Sequence, residues 1–304
     1  MKKLAFVYPG QGTQYPGMGK AFYEENSIFK ERVDQANELL SFNLLSIMFG
    51  SERVHETRYA QVALYVMQCA LTDVLKEEGI HPSGTAGLSI GEYAAQYAAG
   101  VFDFETGLSI VIKRGELMQA SAEKNDTGML AMLGTLEQAK EIEQAIDNVY
   151  IANHNMEKQV VLAGDNEALK KAESYGKEIS VKRFIPLKTA AAFHTPYMDE
   201  AKKAFAPFLE TVSFGKPSIS LYLNTTGKRF ESGLRKTMID QIISPVYFHS
   251  MIKAMIEDGY THFVEIGPGK TLSTFIRKTD KTVEVITDIE AEPLENFLKT
   301  LRSE

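Results

Sequence analysis

Short apolar runs bounded by glycine and proline alternate along the chain with longer stretches whose apolar positions recur at helical spacing, the rhythm of an α/β protein. "KLAFVY" predicts a buried strand that ends in the loop "PGQGTQYPGMG". Residues 59–78 predict a long apolar helix ending near Gly79. A short strand then runs toward Leu88, the chain turns at Ser89, and a helix extends from about Gly91 to Ala99. From about residue 127 the order changes: "GMLAML" (strand), "LEQAKEIEQAI" (helix), "VYIAN" and "QVVLAG" (strands), "NEALKKAESYG" (helix) and "ISVKRFIPL" (strand). This βαββαβ succession matches the ferredoxin-like pattern and reads as a small inserted domain over 126–188. After it "HTPYMDEAKKAFAPFLETV" is helical, "SISLYLN" a strand, "PVYFHSMIKAMIEDG" a helix with Pro245 near its start, and "THFVEIG" a strand. The flanks, 1–125 and 189–304, therefore predict one parallel-sheet domain.

At 304 residues with 44% apolar and 24% charged, the chain is long enough to bury a substantial core. The apolar run after Met1 stops at Pro9, too short for the hydrophobic core of a secretory leader, and reads as a strand. No stretch reaches the roughly 18 apolar residues of a membrane helix, and the single cysteine, Cys69, lies in an apolar segment as core filler. A cytoplasmic protein is expected. The net charge of −7, with basic residues scattered apart from "VIKRGE" and "SVKRFIPLK", disfavours nucleic acid as a partner.

Two glycine-rich stretches invite a nucleotide reading and fail on spacing. In "YPGQGTQY" the third glycine of a dinucleotide fingerprint falls on Tyr15, and in "VEIGPGKT" the first glycine of a phosphate loop falls on Val264. The six histidines show no metal-ligand spacing, so no metal is expected. "AGLSIGEYAA" has the spacing Gly87-x-Ser89-x-Gly91 of a nucleophile elbow, in which small neighbours permit a sharp strand-to-helix turn. On spacing alone a helix-capping serine fits as well. A serine nucleophile needs a base, and "AAAFHTPYM" offers His194 after an apolar strand, with Pro196 fixing the turn. A lone histidine in such a place is more often structural.

Taken in order, "YPGQGTQYPGMG", "AGLSIGEYAA", "KRGELMQ", "AAAFHTPYM", "ISPVYF" and "FVEIGPGKTL" resemble the malonyl-CoA:acyl carrier protein transacylases, including the acyltransferases of polyketide synthases, over essentially the whole chain. The resemblance implies a hydrolase-like α/β domain with an inserted ferredoxin-like domain. It implies that Ser89 is acylated and that His194 is its general base, oriented by the backbone carbonyl of Gln241 and not by an acid. Gln11 and Ile90 match the residues whose N–H groups form the oxyanion hole, and Arg114 the one that binds the malonyl carboxylate. For Arg114 the bland alternative is a surface ion pair with Glu116 or Glu105. Gln61 and Asn153 match polar cleft positions, although ordinary loop or strand-end hydrogen bonding accounts for them nearly as well. Phe193, in "AFH", is similar to the malonyl-preferring form of that motif, where a ring narrows the space for an α-methyl.

The chain departs from the pattern at Leu88, where the family usually has histidine, and at Ala191. Leu88 removes polar tuning next to the serine. The implied reaction is ping-pong transfer from malonyl-CoA to the phosphopantetheine thiol of an acyl carrier protein, with no bound cofactor, in fatty acid or polyketide assembly. Two alternatives use the same residues: a hydrolase clearing carrier thioesters, and a non-catalytic carrier-docking protein.

Overall fold

A computed structural model describes residues 3–188, 191–287, 289–290 and 294–303. The chain forms two compact units, one from Met1–Gly115, Ser213–Tyr222 and Met255–Glu304, the other from Glu116–Val212 and Leu223–Ala254. The expected resumption of the larger domain at residue 189 falls outside the described residues.

The first unit is built on β1 (Leu4–Tyr8) and β2 (Gly84–Gly87). Both are buried on both faces, as strands of a parallel sheet covered by helices must be. The second unit supplies β3 (Thr127–Leu133), β4 (Val149–Met156), β5 (Gln159–Asp165) and β6 (Arg183–Pro186). Then come β7 (Ser220–Leu223), the two-residue β8 (Lys228–Arg229) beyond a tight turn closed by Gly227 N–H to Leu223 O, β9 (His262–Glu265) and β10 (Glu284–Ile286).

In the first unit the strands run parallel in the order β10-β9-β1-β2-β7. Tyr8 pairs with Gly87, so the loops after β1 and β2 leave the same sheet edge side by side. Open parallel sheets bind ligands at this carboxyl edge. The helix Thr57–Glu77 is buried almost throughout, including Gln61, Gln68 and Thr72, which explains its apolar run. Among the described residues no helix is long and apolar enough to cross a membrane.

The second unit carries an antiparallel sheet of order β4-β5-β3-β6 with helices Leu136–Ala145 and Asn166–Glu178, the βαββαβ arrangement expected from sequence. Met132, Ile142, Leu162 and Ala172 centre its core. Thr135 and Gln138 form a reciprocal capping box, and Asp165 caps the second helix.

Three local expectations are corrected. The strand over "ISVKRFIPL" is only Arg183–Pro186. The preceding residues instead terminate the helix, with Val181 N–H on Gly176 O and Ser180 at φ 64°. The helix expected from Pro245 begins at Phe248, since Val246 exchanges bonds with β4 through Ala152 O and His154 N–H. The residues before His194 are turns and not strand: Phe193 N–H donates to Ala191 O, and Ala192 N–H to Thr127 Oγ1.

Candidate active site

Ser89 sits at the turn between β2 and the helix Gly91–Ala98 with φ 54°, a left-handed conformation that costs an ordinary residue about 1–3 kcal/mol. The two flanking glycines are required by contact. A Cβ on Gly87 would lie 2.1 Å from the Gly91 carbonyl, and one on Gly91 would lie 2.1 Å from Tyr8 O. Strand, turn and helix are therefore pressed against each other and against β1, so the strained serine is held. Ile90, fully buried, is the first residue of the helical turn, where N–H groups have no intrahelical acceptor.

Leu88 donates its N–H to Tyr8 O and lies on Gly10, where a Cβ would come within 2.7 Å of Leu88 Cδ2. Gln11, next in the β1 loop, donates from Nε2 to Thr57 Oγ1 at 3.1 Å. The loop is further laced by Thr13 Oγ1 to Gly10 O and Gly12 N–H to Gln14 Oε1.

Arg114 is 1% exposed. Its Nη1 donates to Gln61 Oε1 at 2.6 Å and its Nη2 to Ser89 Oγ at 3.2 Å, and its carbon centre lies 5.2 Å from the Tyr93 ring centroid. Burial pulls the guanidinium below its ordinary pKa, opposed by Tyr93 and Glu92, while the same burial pushes the Tyr93 hydroxyl up to about 12. At neutral pH this leaves a cation beside a neutral phenol. Arg114 is thus not at the surface, where an ion pair with Glu116 or Glu105 was weighed, but buried with Gln61 and Ser89 as acceptors.

In the second unit His194 is 3% exposed and also has positive φ, 62°. Its Nδ1 lies 2.8 Å from the carbonyl oxygen of Gln241. A carbonyl only accepts, so Nδ1 carries the proton and Nε2 is left as the basic nitrogen. The turn is braced by Thr195 Oγ1 to Ala192 O, and Phe193 and Gln241 are buried. Asn153 is buried at an irregularity of β4, bridged to Val246.

The structure thus gathers Ser89, Arg114 and Gln61 into one contact network, with Leu88, Ile90 and Gln11 beside it, and pairs His194 with Gln241. Sequence reading passed over Thr57 and Tyr93. Thr57 stands one helical turn before Gln61 on the same helix, and Tyr93 lies in the first turn of the helix that follows Ser89. Among the described residues no three His, Cys, Asp or Glu side chains are grouped to hold a metal ion.

A strained serine on an elbow, a buried cation one hydrogen bond away and a histidine whose Nδ1 is held on a main-chain carbonyl are groups that suit covalent acyl transfer to and from serine. The chain is 34% identical, over all of its length and 99% of the relative, to the malonyl CoA-acyl carrier protein transacylase of Bacillus subtilis strain 168. It superposes with TM-score 0.93 on that of Clostridium perfringens, 33% identical, with 99% of this chain and 98% of the other covered. A type II PKS acyl-carrier protein in complex with its malonyl-transacylase gives TM-score 0.92 at 29% identity, with both chains fully covered. The acyl transferase domain model matches residues 5–295, and by that match the chain belongs to the acyl transferase domain family.

Proposed function

We propose that the protein transfers a malonyl group from malonyl-CoA to the phosphopantetheine thiol of an acyl carrier protein, through an ester on Ser89. The observation that carries this reading is Arg114 Nη2 at 3.2 Å from Ser89 Oγ. A guanidinium offers a carboxylate two parallel charge-assisted hydrogen bonds, and an acetyl group offers nothing to bind there. Burial strengthens the preference, because a desolvated cation gains most from an anionic partner.

His194 Nε2 takes the Ser89 proton as Oγ attacks the thioester carbonyl. The oxyanion is met by the backbone N–H groups of Ile90 and Gln11. The tetrahedral intermediate collapses, and His194 returns the proton to the departing CoA sulfur. In the second half His194 deprotonates the carrier thiol, which attacks the seryl ester and releases Ser89 Oγ with its proton restored. The tautomer set by Gln241 O serves both halves, since the nitrogen that works must be the one without a fixed proton. The chemistry needs no metal or bound cofactor.

Discharge of the acyl-enzyme tests transfer against hydrolysis. Protein loaded with malonyl-CoA and freed of excess donor should lose its acyl group rapidly on addition of holo carrier, with malonyl appearing on the carrier. Discharge at the same rate with apo carrier, or with the acyl group appearing only as free malonate, would make the protein a hydrolase.

A further inference from the structure

Two bonds already described converge on one helix. Gln11 Nε2 ends on Thr57 Oγ1 at 3.1 Å, and Arg114 Nη1 ends on Gln61 Oε1 at 2.6 Å. Thr57 and Gln61 are one turn apart on the helix Thr57–Glu77, so their side chains share a face at roughly 5–6 Å between Cβ atoms. Both are fully buried, at 1% and 0% exposure. The helix is buried along nearly its whole length and cannot shift one of these residues without the other.

We infer that Thr57 and Gln61 are positioning residues that orient the two working parts of the serine site from a single rigid helix. Thr57 fixes the loop that presents the Gln11 N–H, and Gln61 fixes the fork of Arg114. This rests on the reading of Ser89 as the acylated group.

Residues 10–14 leave β1 with Gly12 at φ 106°, and their bonds to Gln14 and Gly10 are internal, so they hold the loop's shape but not its place. Its place is set by Leu88 against Gly10 on one side, and on the other by Gln14 Nε2 to His55 Nδ1 at 3.4 Å and by the shorter Thr57 bond at 3.1 Å, which is the one that falls on Gln11 itself. An oxyanion donor works only when its N–H is aimed beforehand, and losing one entirely costs about 10²–10³ in rate. A donor left in place but loosely aimed loses part of that, on the order of tenfold. For Gln61 the logic is steric: an amide oxygen accepting from Nη1 stops rotation of the guanidinium and leaves Nη2 toward Ser89.

The two arms predict different signatures, which a general structural role would not produce. Stopped-flow acylation with malonyl-CoA and acetyl-CoA separates them. Thr57→Val, which keeps shape and removes the acceptor, should slow acylation by both donors by about the same factor, on the order of tenfold, with KM little changed. Thr57→Ser should restore the rate. Gln61→Leu should slow malonyl acylation selectively, narrowing the malonyl-to-acetyl ratio. Gln11→Leu cuts the Thr57 bond from its other end and keeps the backbone N–H. It should therefore match Thr57→Val, and the double variant should be no slower than either single one.

Wild-type protein that fails to form an acyl-serine defeats the reading of Ser89 itself. Wild-type protein that acylates normally, with Thr57→Val equally fast or slowed for malonyl alone, overturns the inference about Thr57. A loss in Gln61→Leu shared equally by both donors overturns the inference about Gln61. If Thr57→Val does not fold, Gln11→Leu with Thr57→Ser decides the point.

Discussion

Arg114 Nη2 donates to Ser89 Oγ at 3.2 Å from a side chain that is 99% buried, across 25 residues of sequence. In the proposed reaction this bond joins the group to be acylated to the group that selects the acyl, and ester formation at Oγ would release the N–H to the malonyl carboxylate. Arg114→Lys keeps the charge but not the fork. It should lower malonyl acylation by about 10–100-fold, the worth of one to two charge-assisted hydrogen bonds, while acetyl acylation changes by less than about threefold. Single-turnover rates with the two donors check this.

The elbow glycines make a prediction about stability. A methyl group on Gly91 has to displace Tyr8 O, which is backbone of the central strand. Gly91→Ala should destabilise the protein by about 3 kcal/mol, the top of the usual range for overpacking changes, or fail to fold. Ser89→Ala, which keeps the turn and loses only Oγ, should be as stable as wild type or slightly more so. Urea midpoints of the two variants separate these outcomes.

His194 is oriented by a main-chain atom. Gln241→Ala leaves the carbonyl in place, so kcat should fall by no more than about threefold and the pH–rate profile should keep its shape. His194→Ala should lose transfer almost completely. A Gln241→Ala variant as inactive as His194→Ala, at equal stability, would assign the orienting role to the side chain.

The His154 and His249 rings pack against each other with centroids 5.0 Å apart and planes tilted by 58° in the second unit. Burial, then His154 and Lys253, bring the His249 pKa down from 6.5 to about 4, against the pull of Glu157, and burial lowers His154 as well. A depressed histidine holds fewer protons folded than unfolded. Stability is therefore full above about pH 6.5 and falls as the pH drops toward about 4. His249→Gln should flatten that slope while leaving stability at pH 8 nearly unchanged. Melting temperatures at half-unit pH steps from 4 to 8 measure it.

Much of this architecture was legible in the sequence because its strands are short, apolar and fenced by glycine, as at β1 and β2, and because βαββαβ is a local order. Boundaries set by tertiary bonds were not. Pro245 looks like a helix start, yet Val246 is claimed by β4, and "ISVK" looks extended but caps a helix. The helix Phe104–Ala122, which ends the first unit's run to Arg114, gave no distinct signal, since its apolar residues are broken by glycine and charge. At the site, Ser89, His194 and Arg114 could be named from motif spacing. Thr57 could not, because its importance lies in a partner 46 residues away.

The central claim is that Ser89 accepts an acyl group chosen by Arg114. It is tested most directly by intact-protein mass after a brief exposure to equal concentrations of malonyl-CoA and acetyl-CoA. The account predicts a malonyl adduct on the Ser89 peptide, no adduct in Ser89→Ala, and a shift toward acetyl in Arg114→Ala. An adduct that persists in Ser89→Ala, or a malonyl preference unchanged in Arg114→Ala, would contradict it.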